Sequence, residues 1–179
     1  MVSRFLLSSQ PWKLRPVRHT RRVRTTTGQL PVFLGIEGGG TRTVAQSLVH
    51  IAVAPRIWAA IVNSGVTTLQ GFNFMGLFMA NVAEEQKPRT KAEIIALLES
   101  EGEAYATLVA GLSDEALAVR ITQPDGQSSK TLLETLLSPK EHEMHHRGQL
   151  MLVERQLGIT PHLTRAMQER FAAMQAAKG

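Results

Sequence analysis

Capped segments with apolar residues at helical spacing constrain the fold of this chain most. Thr90 is followed three positions later by Glu93, the pairing of a capping box, in which each side chain accepts from the main-chain N–H of the other residue. An apolar stripe follows this cap, formed by Ile94, Leu97, Leu98, Tyr105, Leu108, Val109 and Leu112. Because such a stripe is stable only when another surface covers it, the segment predicts an amphipathic helix within a helical bundle.

A second capping box, Thr43 with Gln46, precedes another apolar stripe. Pro55 lies inside this stripe, which resumes in residues 56–62. We therefore expect the proline to kink the helix rather than end it.

The histidine-rich segment is also bounded by helix signals. Ser138 and Glu141 have the spacing of a capping box, with Pro139 at the first helical position, so we expect a separate helix to begin there. Gly158 and Pro161 should end it. A last amphipathic helix is predicted from Leu163, Met167, Phe171 and Met174.

Two segments between these helices differ from them. Residues 69–83 are rich in Met and Phe, which we expect to fill the core rather than to line a ligand pocket. Residues 119–129 predict a short extended piece and a turn at Pro124, Asp125 and Gly126. The whole pattern predicts an all-α four-helix bundle with an irregular, basic N-terminal arm.

Length and charge restrict the function. The chain has 179 residues, which suits one domain, and it has no cysteine, so any metal must be held by His, Asp or Glu. Residues 1–42 hold eight basic residues and Glu37 alone, a charge of +7 that leaves the remainder at −2. We therefore expect the folded body not to bind nucleic acid. With no apolar run near ~20 residues and no signal-peptide core, we expect no membrane insertion and a cytoplasmic protein.

The strongest motif for chemistry is a pair of histidines four residues apart. On a helix, His142 and His146 lie on the same face, with Cβ atoms ~5–6 Å apart, so their rings can converge on one ion. Two ligands hold a metal poorly. His50 lies on the inward stripe of the first helix, and we expect it to be the third ligand, although an isolated histidine on such a face is more often a hydrogen-bonded core residue.

The same motif reads as His-Glu-x-x-His, which is typical of zinc peptidases. In that alternative Glu143 would be the general base, but positions 149 and 152 are Gln and Leu, and no sheet is predicted that could align a peptide. We favour a surface or supporting role for Glu143, and we expect His145 to face solvent or another subunit.

The segments "SLVHIAVAPRIW" and "EHEMHHRGQLMLVERQLGITPHL" resemble the DinB/YfiT-like family of metal-binding four-helix bundles, from about residue 46 to the C-terminus. The resemblance implies that His50, His142 and His146 hold a divalent metal ion with positions left for water, zinc and nickel being favoured. Characterised members include transferases and isomerases that use low-molecular-weight thiols such as bacillithiol, mycothiol or glutathione, and members are commonly homodimers.

The resemblance therefore implies a metal-dependent enzyme, such as a thiol-dependent S-transferase or isomerase or a hydrolase, acting on a small molecule. The alternative is a non-catalytic metal-binding protein of a stress response. We assign no catalytic residue from the sequence.

The N-terminal segment departs from this family, whose members begin with a long helix. Residues 33–45, "FLGIEGGGTRTVA", resemble the phosphate-binding hairpin of actin-like sugar kinases, but no other kinase element follows, so we expect no kinase activity. We interpret residues 1–42 as an arm that was fused or misassigned, and residues 43–179 as the metal-binding bundle. The alternatives for the Arg-rich arm are a tail that binds nucleic acid and an organelle-targeting peptide.

Overall fold

The computed structural model describes residues 42–177. This part of the chain is mostly helical, which confirms the all-α prediction. The elements, in chain order, are α1 (Val44–Val53), α2 (Arg56–Ser64), α3 (Phe74–Glu85), α4 (Lys91–Ala110), α5 (Asp114–Ala118), β1 (Arg120–Thr122), β2 (Ser129–Thr131), α6 (Leu132–Gln156) and α7 (His162–Ala176). All of the predicted N-terminal arm except Arg42, and most of the hairpin that resembles sugar kinases, lie outside the described residues.

The chain divides into two compact units at His142 and Glu143. Helix α6 runs without interruption through this point.

In the first unit, α1 packs against α3 and α4. The buried residues around α1 are Val49, Ala52, Val53 and Ile94. A second cluster joins α2 to the hairpin and to the start of α6 through Ile61, Leu69, Val109, Leu117, Ile121, Leu132 and Leu136. Together these clusters fix the first turns of α6 and the C-terminal half of α1 within one unit.

Both N-terminal capping boxes expected for α1 and α4 are present. The Thr43 hydroxyl accepts from Gln46 N at 3.1 Å, and the Gln46 side chain accepts from Thr43 N at 2.9 Å. At α4, Glu93 Oε2 accepts from Thr90 N at 2.6 Å. Each box satisfies two main-chain N–H groups that a helix start would otherwise leave without partners.

The expected start of the histidine helix at Ser138 was wrong. Helix α6 begins at Leu132 and passes through Pro139, which is buried within it. The cap is an earlier capping box, in which Glu134 Oε2 accepts from Thr131 N at 2.6 Å and Thr131 Oγ1 accepts from Glu134 N at 3.1 Å. Leu132 and Leu136, which precede the proline, are buried in the core and stabilise this part of the helix, although Pro139 has no N–H to donate.

The β1–β2 hairpin pairs antiparallel, with Ile121 opposite Lys130. Its turn is the expected one: Asp125 Oδ1 accepts from Gln127 N and Ser128 N, each at 2.9 Å, and Gly126 has a φ of 69°. This φ lies in the left-handed region, which glycine adopts without steric cost.

The helix around Pro55 is interrupted for two residues. Ala54 and Pro55 keep right-handed helical torsions, so α1 and α2 follow one another with a local break, as the expected kink implies.

Residues Val44–Ser64 together have a mean hydropathy of 1.4 over the most apolar window, which meets the length and composition of a membrane span. The expectation that no such stretch exists was therefore wrong on those criteria, although Val49, Val53 and Ile61 of this segment pack into the two core clusters.

The expectation that the Met- and Phe-rich segment fills the core was wrong for most of α3. Met75, Phe78 and Met79 are exposed, with Met75 at 70%. The residues of α3 that are buried are Asn81 and Glu85. Helix α3 therefore presents a polar side to the core, and its two buried polar residues contact α1.

The second unit contains the C-terminal part of α6 and α7. Helix α6 ends as expected: Gly158, with a φ of 71°, donates its N–H to Arg155 O, and Ile159 N donates to Glu154 O at 2.8 Å. These two hydrogen bonds form a Schellman motif, which needs a residue with left-handed torsions at the position of the glycine. The apolar stripe expected on α7 is exposed, at Leu163, Met167, Phe171 and Met174.

Candidate metal centre

His50 lies in the last turn of α1, among residues that bury this helix. Val49 and Val53 beside it are buried, and the His50 side chain itself is only 12% exposed. Its Nδ1 donates to Glu85 Oε1 of α3 at 2.7 Å. Because a carboxylate only accepts, this contact places the proton of a neutral His50 ring on Nδ1 and makes Nε2 the unprotonated nitrogen.

His142 comes from α6 and meets the other side of the His50 ring. The two Nε2 atoms lie 2.9 Å apart, and the ring centroids are separated by 4.7 Å. Trp58 of α2 lies near the His142 ring, with centroids 6.5 Å apart. The structure thus brings together two histidines that are 92 positions apart in the chain.

His146 follows His142 by one turn of α6, which places both rings on one face of the helix. Its Nδ1 contacts Gln149 Oε1 at 2.8 Å. The amide nitrogen of Gln149 contacts His145 Nε2 at 3.0 Å, which fixes the orientation of the amide. A hydrogen bond from His146 Nδ1–H to an amide oxygen makes Nε2 its unprotonated nitrogen, as at His50.

The three predicted histidines form one group. One ligand atom of each of His50, His142 and His146 lies within 4.8 Å of the others. Two nitrogens that share a tetrahedral zinc ion at ~2.0–2.1 Å are ~3.3 Å apart, so the His50–His142 distance is close to what a shared ion requires. Three imidazoles also match the ligand preferences of zinc, nickel and iron. The residues present therefore fit a divalent metal ion.

Glu85 is a charged residue of the first unit that contacts His50 of this group. Its side chain is 3% exposed, and it contacts Arg42 Nε as well as His50. Burial raises the pKa of the Glu85 carboxyl, but hydrogen bonds from Arg42 and His50, together with their charges, outweigh that effect, so the pKa lies below its ordinary value. Glu85 is thus an ionised carboxylate that is buried between two donors.

The other residues of the histidine motif have local partners. Glu143 Oε1 lies 3.5 Å from Arg147 Nε, a pair one helical turn apart. This contact agrees with a supporting or surface role for Glu143 and gives no support to its use as a peptidase base. His145 is exposed, as expected, and contacts Gln149.

Sequence reasoning missed Glu85 and Gln149. Gln149 could have been found, because it lies three residues after His146, and side chains at that spacing on a helix are neighbours. Glu85 gave no local signal, since its contact with His50 spans 35 positions.

The helical fold and the three-histidine group define a class of helical protein suited to bind a divalent metal ion. The sequence model of the DinB superfamily matches residues 12–150 of the chain, a segment that contains all three histidines. The chain therefore belongs to this superfamily. The match begins inside the segment that we interpreted as a separate arm. Searches of curated proteins and of solved structures each found no match.

Proposed function

We propose that this protein is a metal-dependent enzyme that activates a low-molecular-weight thiol and transfers it to a small electrophilic molecule. The observation that carries the proposal is the three-histidine group, whose ligand atoms lie within 4.8 Å of one another. Imidazole is a neutral ligand, so three of them leave the charge of a divalent ion undiminished. Three protein ligands with a remaining open position are typical of catalytic sites, whereas structural zinc sites use four.

When bound, the ion supplies positive charge that lowers the pKa of a thiol or of water at an open position. The chain has no cysteine, so the sulfur of the reaction belongs to the substrate. In the transfer, the thiol loses its proton to solvent, a sulfur–carbon bond forms, and the bond from that carbon to its leaving group breaks. This step needs no oxidant or reductant.

Metal analysis tests the first half of the proposal. We expect the purified protein to bind about one divalent ion per chain and His146→Ala to bind far less, because two histidines hold an ion poorly. His162→Ala is the matched control, since His162 begins α7 and is outside the three-histidine group. Equal metal content in all three proteins would contradict the assignment of His146.

Thiol transfer tests the second half. Glutathione, mycothiol and bacillithiol would each be mixed with 1-chloro-2,4-dinitrobenzene, and formation of the thioether would be followed by absorbance. We expect transfer that a chelator abolishes, that His146→Ala loses and that His162→Ala keeps. If metal is bound at the histidines and no thiol is transferred, the thiol-transfer proposal is wrong, and the alternative of a non-catalytic metal-binding protein is favoured.

We also propose that two copies of the chain pair through α7. Its exposed apolar residues Leu163, Met167, Phe171 and Met174 recur at helical spacing, so they form one face. Arg165, Glu169 and Arg170 bring both signs of charge to the same helix, which suits an antiparallel contact between identical surfaces. We expect light scattering to give twice the 19.7 kDa chain mass, and Phe171→Glu to give the monomer while Arg170→Gln does not.

A further inference from the structure

Glu85 is a buried carboxylate that lies outside the three-histidine group and contacts one of its members, His50. It is the last residue of α3, and it is one of the few buried charged or polar residues among those described. A buried carboxylate is unfavourable unless hydrogen bonds compensate its loss of water. Here His50 Nδ1 donates to Oε1, and Arg42 donates to Oε2 through Nε and to Oε1 through Nη2.

The neighbouring Glu84 makes different contacts. It pairs with Lys87 and Arg89, which are three and five residues further along the chain. Those contacts join the end of α3 to the loop that follows, and Lys87 is 58% exposed. The two adjacent glutamates therefore have different partners: Glu84 contacts the loop after α3, and Glu85 contacts His50 of α1.

The contact with Glu85 determines which nitrogen of His50 can bind an ion. An ionised carboxylate accepts from Nδ1–H, so the Nδ1 atom is protonated and Nε2 carries the lone pair. Nε2 is also the atom that lies 2.9 Å from His142 Nε2. In metalloproteins the histidine ligand commonly donates its other N–H to a carboxylate, and this contact sets both the tautomer and the angle of the ring.

We propose that Glu85 is a positioning residue of the metal centre, which holds His50 as the Nδ1–H tautomer with Nε2 directed to the ion, and that Arg42 holds Glu85 in turn. This inference rests on the proposed metal site but not on the proposed thiol chemistry. Arg42 also balances the charge of the carboxylate, so the Arg42–Glu85 pair adds no net charge beside the ion.

Substitution of Glu85 tests the role through metal affinity. Glu85→Gln keeps an oxygen that accepts from His50 Nδ1–H, whereas Glu85→Leu has a similar size and no acceptor. We expect Glu85→Leu to weaken Co²⁺ binding by about 10–100-fold and to change the visible spectrum of the bound Co²⁺, with Glu85→Gln recovering most of the affinity. Glu84→Gln is the matched control and should bind Co²⁺ as the unsubstituted protein does.

Two outcomes would overturn the inference. One is Co²⁺ affinity in Glu85→Leu equal to that of the unsubstituted protein. The other is an equal loss of affinity in Glu85→Leu and Glu85→Gln that follows the loss of thermal stability in the metal-free proteins, which would make Glu85 a structural link between α1 and α3.

A measurement on the unsubstituted protein covers the case in which Glu85→Leu does not fold. The ¹⁵N chemical shifts of His50 in the metal-free protein should identify Nδ1 as the protonated nitrogen and Nε2 as the unprotonated one, and the reverse assignment would overturn the inference. His50→Ala separates this question from the proposed function: if it binds Co²⁺ normally, the three-histidine site itself is wrong, whatever the tautomer.

Discussion

His50 and His142 face each other through their Nε2 atoms, which are 2.9 Å apart. Because Glu85 accepts a hydrogen bond from Nδ1–H of His50, that ring keeps its proton on Nδ1, and the proton between the two Nε2 atoms belongs to His142 in the neutral pair. A metal ion needs the lone pairs of both nitrogens. Metal binding therefore replaces this hydrogen bond and requires His142 to carry its proton on Nδ1 instead.

Metal addition should stabilise the folded protein through this pair. An ion that binds only the folded state at 100 times its Kd adds about 2.7 kcal/mol to the free energy of unfolding. We expect zinc to raise the melting temperature, a chelator to reverse the increase, and His142→Ala to abolish it. Differential scanning fluorimetry measures the three effects, and His162→Ala, which lies outside the group, should respond to zinc as the unsubstituted protein does.

Asn81 should stabilise the break between α1 and α2. In an α-helix, Val53 O would accept from the N–H of Ile57, but at this break Ile57 N donates to Ala54 O instead. Asn81 Nδ2 donates to Val53 O in its place, at 3.1 Å. Val53 is fully buried. Asn81→Leu would leave that carbonyl without a partner.

We expect Asn81→Leu to lower the free energy of unfolding by about 1–3 kcal/mol, the usual cost of a buried polar group without a hydrogen bond. Urea unfolding followed by circular dichroism measures it. Met79→Leu on the same helix is the control, because Met79 is exposed and the change in size is small. Equal stability of the two variants would contradict the assigned role of Asn81.

The two candidate caps of α6 should differ in importance. Thr131 exchanges hydrogen bonds with Glu134 at the first turn, so Thr131→Ala should cost about 1 kcal/mol. Ser138 lies inside the helix, so Ser138→Ala should change stability little. Thermal or urea unfolding of the pair distinguishes the caps, and a larger loss for Ser138→Ala would place the start of the helix at Pro139 after all.

Local signals predicted much of the fold. The boxes at Thr43 and Thr90 and the glycine stop at Gly158 involve residues a few positions apart, so the sequence alone contains both partners. The start of α6 was missed because Thr131–Glu134 and Ser138–Glu141 have the same spacing. The packing of Leu132 and Leu136 into the core decided between them, and packing is not visible in a local pattern.

The candidate site was predictable only in its histidines. The four-residue spacing of His142 and His146 follows from helix geometry, and His50 was reached through the apolar stripe around it. The burial of Glu85 and of the polar side of α3 could not be predicted from the sequence. Met75, Phe78 and Met79 are apolar residues of the kind that usually fills a core, yet α3 exposes them. Which side of α3 is buried depends on the contacts of Asn81 and Glu85 with α1, over distances of 28 and 35 positions.

Glu134 should make the stability of the protein sensitive to acid. Hydrogen bonds from Thr131 N and from the Thr131 hydroxyl hold the pKa of Glu134 below its ordinary value of 4.5. A carboxyl whose pKa is lower in the folded state binds its proton more readily in the unfolded state. The stability that it contributes is therefore complete above about pH 4.5 and is lost as the pH falls through the lower, folded pKa.

Glu134→Gln removes this titration and keeps an oxygen that can accept from Thr131 N. We expect the melting temperature to fall less between pH 6 and pH 3 in Glu134→Gln than in the unsubstituted protein, as measured by circular dichroism across that range. Glu141→Gln, on an exposed position of the same helix, controls for the loss of one negative charge. Thr131 donates its hydrogen bonds to Glu134 and not to Glu141, so a role of the cap predicts an effect in Glu134→Gln alone. If both variants change the acid sensitivity equally, the overall charge of the protein governs that sensitivity and the cap does not.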